Sequence, residues 1–321
     1  MLSNRSPEST IVPTRNAFST TAADSDKAME LANDIWRASQ DVDDTLFRPP
    51  SGWWPISGWA SLVSLIWRGS KPVGVVGLAP AVPTGQAEAR IALLPEERSA
   101  DAAQYAVDVA TELAARHGDA AVTVVIPGRA RWAQRAARER GFKDEHSFHV
   151  LERPGHIEVG PAVRTLPIEI VGTENLEELR HALNQAYAGS PGFSPISSST
   201  LGEELAIPGS RFFVSRLGAG QIAATAHLRF SAGATNPGGG PYAWLSNLTV
   251  SPVAQGLGLG RAMLRVAIRE LQAMGATSTV LGVDSRNVRA GLLYQSEGFQ
   301  SVGTLEFWTK RLNVSDRHPV R

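Results

Sequence analysis

Fold and function both turn on the stretch Val250-Ser251-Pro252-Val253-Ala254-Gln255-Gly256-Leu257-Gly258-Leu259-Gly260-Arg261. Before it, Trp244, Leu245, Leu248 and Val250 form an apolar strand pattern, and after it Met263, Leu264, Ala267, Ile268 and Leu271 recur at helical spacing. Strand, Gly-rich turn and amphipathic helix therefore follow one another. Glycines let a backbone come close to a ligand. The first N–H groups of a helix have no partner within it, so a phosphate or pyrophosphate fits in such a turn. A turn of this kind also reads, by itself, as a flexible connector. It does not end in Gly-Lys-Ser/Thr, which excludes a triphosphate loop, and it lies late in the chain, unlike the dinucleotide-binding pattern.

Downstream, Ser278 to Val283 form a second apolar strand, and Asn287, Ala290, Leu293, Tyr294, Gly298 and Phe299 follow in order. The pair Gln255-x-x-Gly258-x-Gly260 and Asn287-x-x-Ala290-x-x-Leu293-Tyr294-x-x-x-Gly298-Phe299 resembles the GCN5-related N-acetyltransferase (GNAT) family over about residues 240–310. The resemblance implies a mixed, bent β-sheet flanked by helices and splayed between its central strands, with acetyl-coenzyme A as co-substrate. It implies that Gly256, Leu257, Gly258, Leu259, Gly260 and Arg261 present backbone N–H groups to the pyrophosphate. Gln255 would support that loop or touch a phosphate. Leu248, Thr249 and Val250 would hold the pantetheine arm by main-chain groups, with an N–H near Val250 facing the thioester oxygen, where charge grows during attack. Tyr294 would be the general acid toward the departing thiolate. Asn287 would cap the short helix and touch the coenzyme arm. Each position also has a plainer role: packing for Leu248 and Val250, a tight turn for the glycines, a solvated surface for Gln255 and Arg261, a half-buried helix tyrosine for Tyr294.

Many members of the family carry a glutamate base on the strand before the loop. Here that strand reads Trp244-Leu245-Ser246-Asn247, without a carboxylate. Ser246 could hold a water that relays the proton. Asp284 is an alternative, although it also suits capping of the turn Ser285-Arg286-Asn287.

The chain repeats itself. An offset of 157 positions carries Gly141-Phe142 onto Gly298-Phe299, Leu93 onto Val250, Pro95 onto Pro252, Gly118 onto Gly275, Ile126 onto Val283 and Ala133 onto Ala290, without a gap. The first copy keeps the apolar frame and loses the polar set: Ser99, Asp101 and Ala103 stand where Gly256, Gly258 and Gly260 stand, Ala130 for Asn287 and Ala137 for Tyr294. A Pro- and Gly-rich linker, 153–161, separates them. The expectation is an α/β protein of two tandem GNAT-like domains, a degenerate one at 12–153 and an active one at 162–313, with one coenzyme site per chain. The tandem order and the spacing from Pro252 also resemble the mycothiol synthases, without recognisable acceptor residues.

The composition bounds the rest. The 321 residues are 43% apolar, with 31 basic and 31 acidic side chains and no cysteine. Zero net charge argues against a dedicated nucleic-acid partner, and the absence of cysteine excludes disulfides, zinc–thiolate sites and an acyl-cysteine route. The seven histidines show no ligand spacing, so no metal is expected. Residues 1–16 read as a polar leader without a signal-peptide core, and the patch from Trp59 to Trp67 is too short to span a membrane, giving a cytoplasmic protein. The acceptor, a small-molecule or peptide amine, would meet residues 184–199 with Tyr187 and Phe193 and the Gly-rich insertion 231–241. Trp53, Trp54 and Trp59 would contact the second domain. Transfer would be by direct attack in a ternary complex. The alternative is a non-catalytic sensor of acetyl-coenzyme A.

Overall fold

The computed structural model describes residues 18–43, 62–79, 85–161, 167–189, 195–218, 220–235 and 240–313. The leader, Trp53, Trp54, Trp59, Phe193 and the middle of the insertion at 236–239 lie outside the described residues.

The first repeat contributes β1 (Phe18–Ala22), α1 (Asp26–Asp43), β2 (Val63–Arg68), β3 (Lys71–Ala79), β4 (Gln86–Leu93), α2 (Ala100–His117), β5 (Ala121–Pro127), α3 (Arg131–Glu139) and β6 (Lys143–Pro154). The second contributes β7 (Ile168–Val171), α4 (Leu176–Tyr187), α5 (Ser198–Ala206), β8 (Ser210–Leu217), β9 (Gln221–Thr235), β10 (Pro241–Val250), α6 (Leu259–Ala273), β11 (Ser278–Asp284), α7 (Val288–Ser296) and β12 (Gln300–Arg311). The offset of the duplication, Gly141 to Gly298, carries β5 onto β11, α3 onto α7 and β6 onto β12 end to end.

The inner strands bury residues against both faces, neighbours along the chain turning to opposite sides as the two-residue period of a strand requires. In the first repeat Val73, Leu78, Ile91 and Leu93 pack under α2, while Val63, Leu65, Val75 and Ala92 pack under α1. In the second, Ala226, Leu228, Ala243 and Leu245 pack under Met263, Leu264, Ala267, Ile268 and Leu271 of α6, while Phe212 and Val214 pack under Leu179 and Leu183 of α4 and Leu201 of α5. Helices therefore cover both faces.

The sheet departs from two separate ones. All strands among the described residues join a single mixed sheet of twelve, in the order β1-β2-β3-β4-β5-β12-β6-β11-β10-β9-β8-β7. The last strands are exchanged: β12 of the second repeat pairs with β5 of the first, and β6 of the first pairs with β11 of the second. Arg311 faces Ala121 and Leu305 faces Pro127. Pro154 faces Ser278 and Phe148 faces Asp284. The duplication offset turns one set of pairs into the other. Along the central β6–β12 pair, His146 opposite Phe307 and Val150 opposite Gly303 are likewise equivalents. The exchange thus has two-fold symmetry within one chain. It arises because both repeats present the same edge and the same final strand, so either final strand fits either edge.

Candidate active site

Beside its neighbour β11, strand β10 is paired in parallel at only two positions, Trp244 with Val280 and Leu245 with Leu281. Beyond Leu245 it continues to pair with β9 on its other side, through a bulge between Ser246 and Thr249. Asn247 in that bulge has φ of 48°, and it is the non-glycine residue with positive φ among the described residues. Asparagine is among the few side chains that tolerate this region. The bulge is held by Thr225, whose Oγ1 donates to the carbonyl of Asn247 at 2.7 Å and lies 2.7 Å from Thr249 Oγ1. The two strands therefore part at Ser246. The edge of Leu248, Thr249 and Val250 that faces away from β9 is open to an extended chain, which could bind there as an added strand would.

Below the splay the chain makes a short turn over Pro252–Ala254 and enters α6 through Gly256 and Gly258, with φ of 83° and 79°. Gly258 is the N-cap, and no side chain caps the helix there. The leading N–H groups of α6 thus keep their bonding capacity and its positive dipole end for a ligand. Ser251 Oγ, at the mouth of the turn, is buried without a hydrogen-bond partner. Gly260 differs from the other two. It lies within the helix, its φ is not positive, and a Cβ there would meet Val250 Cγ2 at 3.5 Å and Leu293 Cδ2 at 3.7 Å, ordinary contacts.

Gln255 reaches back toward the carbonyl of Val250 at 3.4 Å. Arg261 Nη1 is 2.7 Å from Glu297 Oε1, and Arg265 Nε is 2.7 Å from the other carboxylate oxygen. The charge of Arg261 is thereby shared with a buried carboxylate. Asn287 caps α7, its Oδ1 accepting from Ala290 N at 3.1 Å. Asp284 closes the following turn, accepting from Arg286 N at 2.8 Å and from Arg286 Nη2 at 2.7 Å. The guanidinium holds the Asp284 carboxyl below its usual range. A carboxylate so neutralised is a poor base.

Tyr294 of α7 is buried, edge-on to Phe299 with ring centroids 5.8 Å apart. Burial pushes its phenol up to about 12. Tyr187, at the end of α4, donates to Asn247 Oδ1 at 3.3 Å, and burial followed by the neighbouring Tyr294 phenol raises its own pKa. Both phenols and the bulge thus meet where the strands part.

Three features escaped sequence reasoning. His227 of β9 lies directly opposite Ser246 and hydrogen-bonds to it, Nδ1 to Oγ at 2.9 Å. No motif marks this histidine; only the cross-strand register reveals it. Glu204, from the end of α5, stands near the far side of the same ring. Finally, the face of the sheet that carries Ser246 continues as an aromatic floor. A Cβ placed on Gly282 would meet Phe148 Cδ1 at 3.7 Å and Trp244 Cζ2 at 3.8 Å, so both rings border this glycine, and Phe307 stacks on His146 at 4.4 Å and leans on Phe148 at 5.2 Å. Phe148 and His146 come from the first repeat.

The corresponding place in the first repeat is closed by its own side chains. Ser99 caps α2, its Oγ accepting from Ala102 N at 3.2 Å. Arg98 stands where Gln255 stands, lies over the Trp132 ring at 5.4 Å, and donates to Ser39 of α1 at 3.2 Å. Among the described residues no group of His, Asp and Glu could hold a metal, and no helix is long and apolar enough to cross a membrane.

Residues 176–299 match the model of the acetyltransferase (GNAT) family. Among curated relatives, a mycothiol acetyltransferase of Beutenbergia cavernae is 35% identical over 164 residues, which are 50% of this chain and 50% of that one. Another, of Acidothermus cellulolyticus, is 42% identical over 74 residues, 23% of each chain. The chain therefore spans half or less of the length of these relatives. Among solved structures, a GCN5-related N-acetyltransferase from Sphaerobacter thermophilus superposes with a TM-score of 0.70 at 18% identity, covering 93% of this chain and 98% of that one. A tandem GNAT protein from the clavulanic acid biosynthesis pathway superposes with a TM-score of 0.68 at 15% identity, covering 92% and 98%. At these identities the likeness is one of fold.

Proposed function

We propose that this chain, whose residues 176–299 match the model of the acetyltransferase (GNAT) family, transfers an acetyl group from acetyl-coenzyme A to a primary amine at the splay between β10 and β11. One observation supports this above the rest. The second repeat combines an open strand edge, an uncapped helix start entered through Gly256 and Gly258, and a buried phenol at their meeting point. The first repeat fills the same place with Arg98 and Ser99. Binding is therefore one coenzyme per chain.

The residues divide the work. The N–H groups of residues 256–261 receive the pyrophosphate, and the buried Ser251 hydroxyl finds in the ligand the partner it otherwise lacks. The pantetheine arm runs along Leu248, Thr249 and Val250. A main-chain N–H of the β10 edge faces the thioester oxygen and stabilises the oxyanion formed when the amine attacks the carbonyl carbon. The C–N bond forms, the C–S bond breaks, and coenzyme A leaves as a thiolate. Tyr294, held near 12, stands well above a thiol at roughly 8.5. The phenol therefore stabilises the thiolate as a hydrogen-bond donor, and the thiolate takes its proton from solvent on release. The acceptor approaches over Trp244, Phe148 and Phe307, so an amine with an apolar or ring-shaped body suits the floor. The glycoside–cysteine amine suggested by the mycothiol acetyltransferases is one candidate of that kind.

Thiol release from acetyl-coenzyme A, measured across a panel of amines with mass detection of the acetylated product, tests the reading. A protein that binds the coenzyme and acetylates none of them overturns it.

A further inference from the structure

The attacking amine must hand its proton to a group of the protein or to water. The open end of β10 carries no carboxylate, and Asp284 is engaged by Arg286. Behind Ser246 stands a hydrogen-bonded chain that leads away from the cleft. Ser246 Oγ lies 2.9 Å from His227 Nδ1, and His227 Nε2 lies 2.8 Å from Ser210 Oγ on β8. The imidazole is 2% exposed and stacked flat on Phe212, with centroids 4.0 Å apart and planes 6° from parallel. Its orientation is fixed, so each ring nitrogen keeps its own partner. Beyond it, Glu204 Oε2 lies 3.9 Å from Nε2 and 3.7 Å from Arg229 Nη1. That oxygen is buried and accepts no hydrogen bond. Buried polar atoms are nearly always bonded, and an exception of this kind calls for a reason. The Glu204 side chain as a whole is 29% exposed, so its carboxylate bridges the interior and solvent.

We propose that Ser246, His227 and Glu204 form a proton relay for the acceptor amine, Ser246 meeting the substrate and His227 and Glu204 acting through it. This rests on the acetyltransferase reading and deepens it. As the amine nitrogen bonds to the acetyl carbon, its proton passes to Ser246 Oγ. The serine's own proton passes to His227 Nδ1, and the proton on Nε2 passes to Ser210 Oγ, 2.8 Å away, whose own proton goes on to Glu204, the carboxylate next beyond the ring. Serine ends as it began, the imidazole ends neutral in its other tautomer, and the carboxylate ends protonated. When the products leave, the steps reverse: Glu204 returns its proton through Ser210 to Nε2, and Nδ1 releases its proton through Ser246 to water entering the cleft. The charged groups facing the ring are Glu204 from α5 and Arg229 from β9, and the facing hydroxyls are Ser210 from β8 and Ser246 from β10. Burial first, and then Arg229, push the imidazole down to about 3. It therefore stays neutral at working pH, as a relay that changes tautomer requires.

The test uses the full chain with Ser246→Ala, His227→Gln and Glu204→Gln, singly and with the first two combined. General acid–base groups contribute about 10²–10⁴-fold, so each single variant should lower kcat about 100-fold with an amine the wild type accepts. The acetyl-coenzyme A Kd, read by calorimetry, should stay within about twofold. Because the groups act as one unit, the double variant should lose no more than the worse single. The loss in His227→Gln should shrink as pH rises and hydroxide substitutes for the relay, a change in pH profile that a merely structural role would not produce. Full kcat in Glu204→Gln, multiplying losses in the double variant, or a parallel pH profile in His227→Gln overturns the relay while leaving the acetyltransferase reading standing. A wild type that binds the coenzyme but acetylates no amine overturns both. Should His227→Gln not fold, the Ser246 and Glu204 variants decide.

Discussion

Cutting the chain to residues 160–321 removes the first repeat and, with it, strand β6. The second repeat then has a bare edge on β11 and a β12 with nothing to pair with, because β12 sits between β5 and β6. Val280, Leu281, Val283 and Trp308 are at most 6% exposed in the intact chain. Full exposure of such side chains costs about 1.5–3 kcal/mol each. Uncovering half of their area therefore costs on the order of 3–6 kcal/mol, a large part of the about 5–15 kcal/mol that stabilises a typical domain. The monomeric fragment should not hold its fold. Two fragments can hold it together, since β12 is the sequence equivalent of β6. In such a pair β12 of one copy takes the place of β6 beside β11 of the other, bringing Ser278 opposite Arg311 and Asp284 opposite Leu305 by the duplication offset. Apolar character survives the swap, with Phe307 in place of Val150 and Trp308 in place of Leu151. The bulk of Trp308 at the Leu151 position adds an overpacking cost of about 1–3 kcal/mol. Light scattering after size exclusion should therefore show a dimer, and the melting temperature should rise with protein concentration. A folded monomer with a concentration-independent Tm would refute the exchanged strand order.

Three further outcomes follow from the site. Gly258→Ala forces a Cβ into φ of 79° and should destabilise by about 1–2 kcal/mol while weakening acetyl-coenzyme A in calorimetry; Gly260→Ala, with ordinary contacts at 3.5 Å, should be neutral or gain up to about 0.5–1 kcal/mol. Tyr294→Phe should lower kcat with the coenzyme Kd unchanged, and because the phenol titrates near 12, the wild type should show no alkaline loss of activity from this group below about pH 11. Depressed to about 3 in the fold, His227 binds fewer protons there than in the unfolded chain, whose value is about 6.5. Stability is therefore lost as pH falls below the unfolded value, by up to about 2 kcal/mol at pH 5; in urea melts His227→Gln should flatten that decline, and an identical pH dependence in both proteins would count against the buried neutral ring.

Much of the second repeat is legible in its sequence because the signals are local. A Gly-rich turn between a strand and an amphipathic helix, Asn287 before a short helix and Gly298 after it describe their own backbone conformations, and α6, α7, the Asn287 cap and the turn closed by Asp284 are where those signals put them. Equal weight on all three glycines does not hold: only Gly256 and Gly258 need positive φ, since Gly260 is already helical. What stays hidden is cross-strand. The Ser246–His227 contact depends on the register of β9 and β10 across a bulge, and spacing along one strand cannot express it. The strand exchange is hidden for a deeper reason. A duplication makes β6 and β12 interchangeable in pattern, so periodicity cannot say which edge each one chooses.

The exchange also accounts for a first repeat that keeps its frame without its site. Arg98, anchored on Ser39 and Trp132, together with the Ser99 cap, satisfies from within the helix start that a ligand would otherwise occupy, so this half needs no ligand to complete its fold. What it supplies instead is β6. That strand completes the ladder of β11, places Phe148 and His146 in the aromatic floor beside Trp244 and Phe307, and through Arg153 Nε donates to the carbonyl of Glu297 at 2.7 Å. Glu297 in turn anchors Arg261 and Arg265 of α6, the helix whose start faces the phosphates in the proposed complex. A substitution in β6, such as Arg153→Ala, strips a buried carbonyl of its donor at about 1–3 kcal/mol and loosens the anchor of α6 from the other half of the chain. The duplicated half thus acts on the second repeat's site through packing and strand pairing, which demand apolar positions and register but none of the polar residues it has lost.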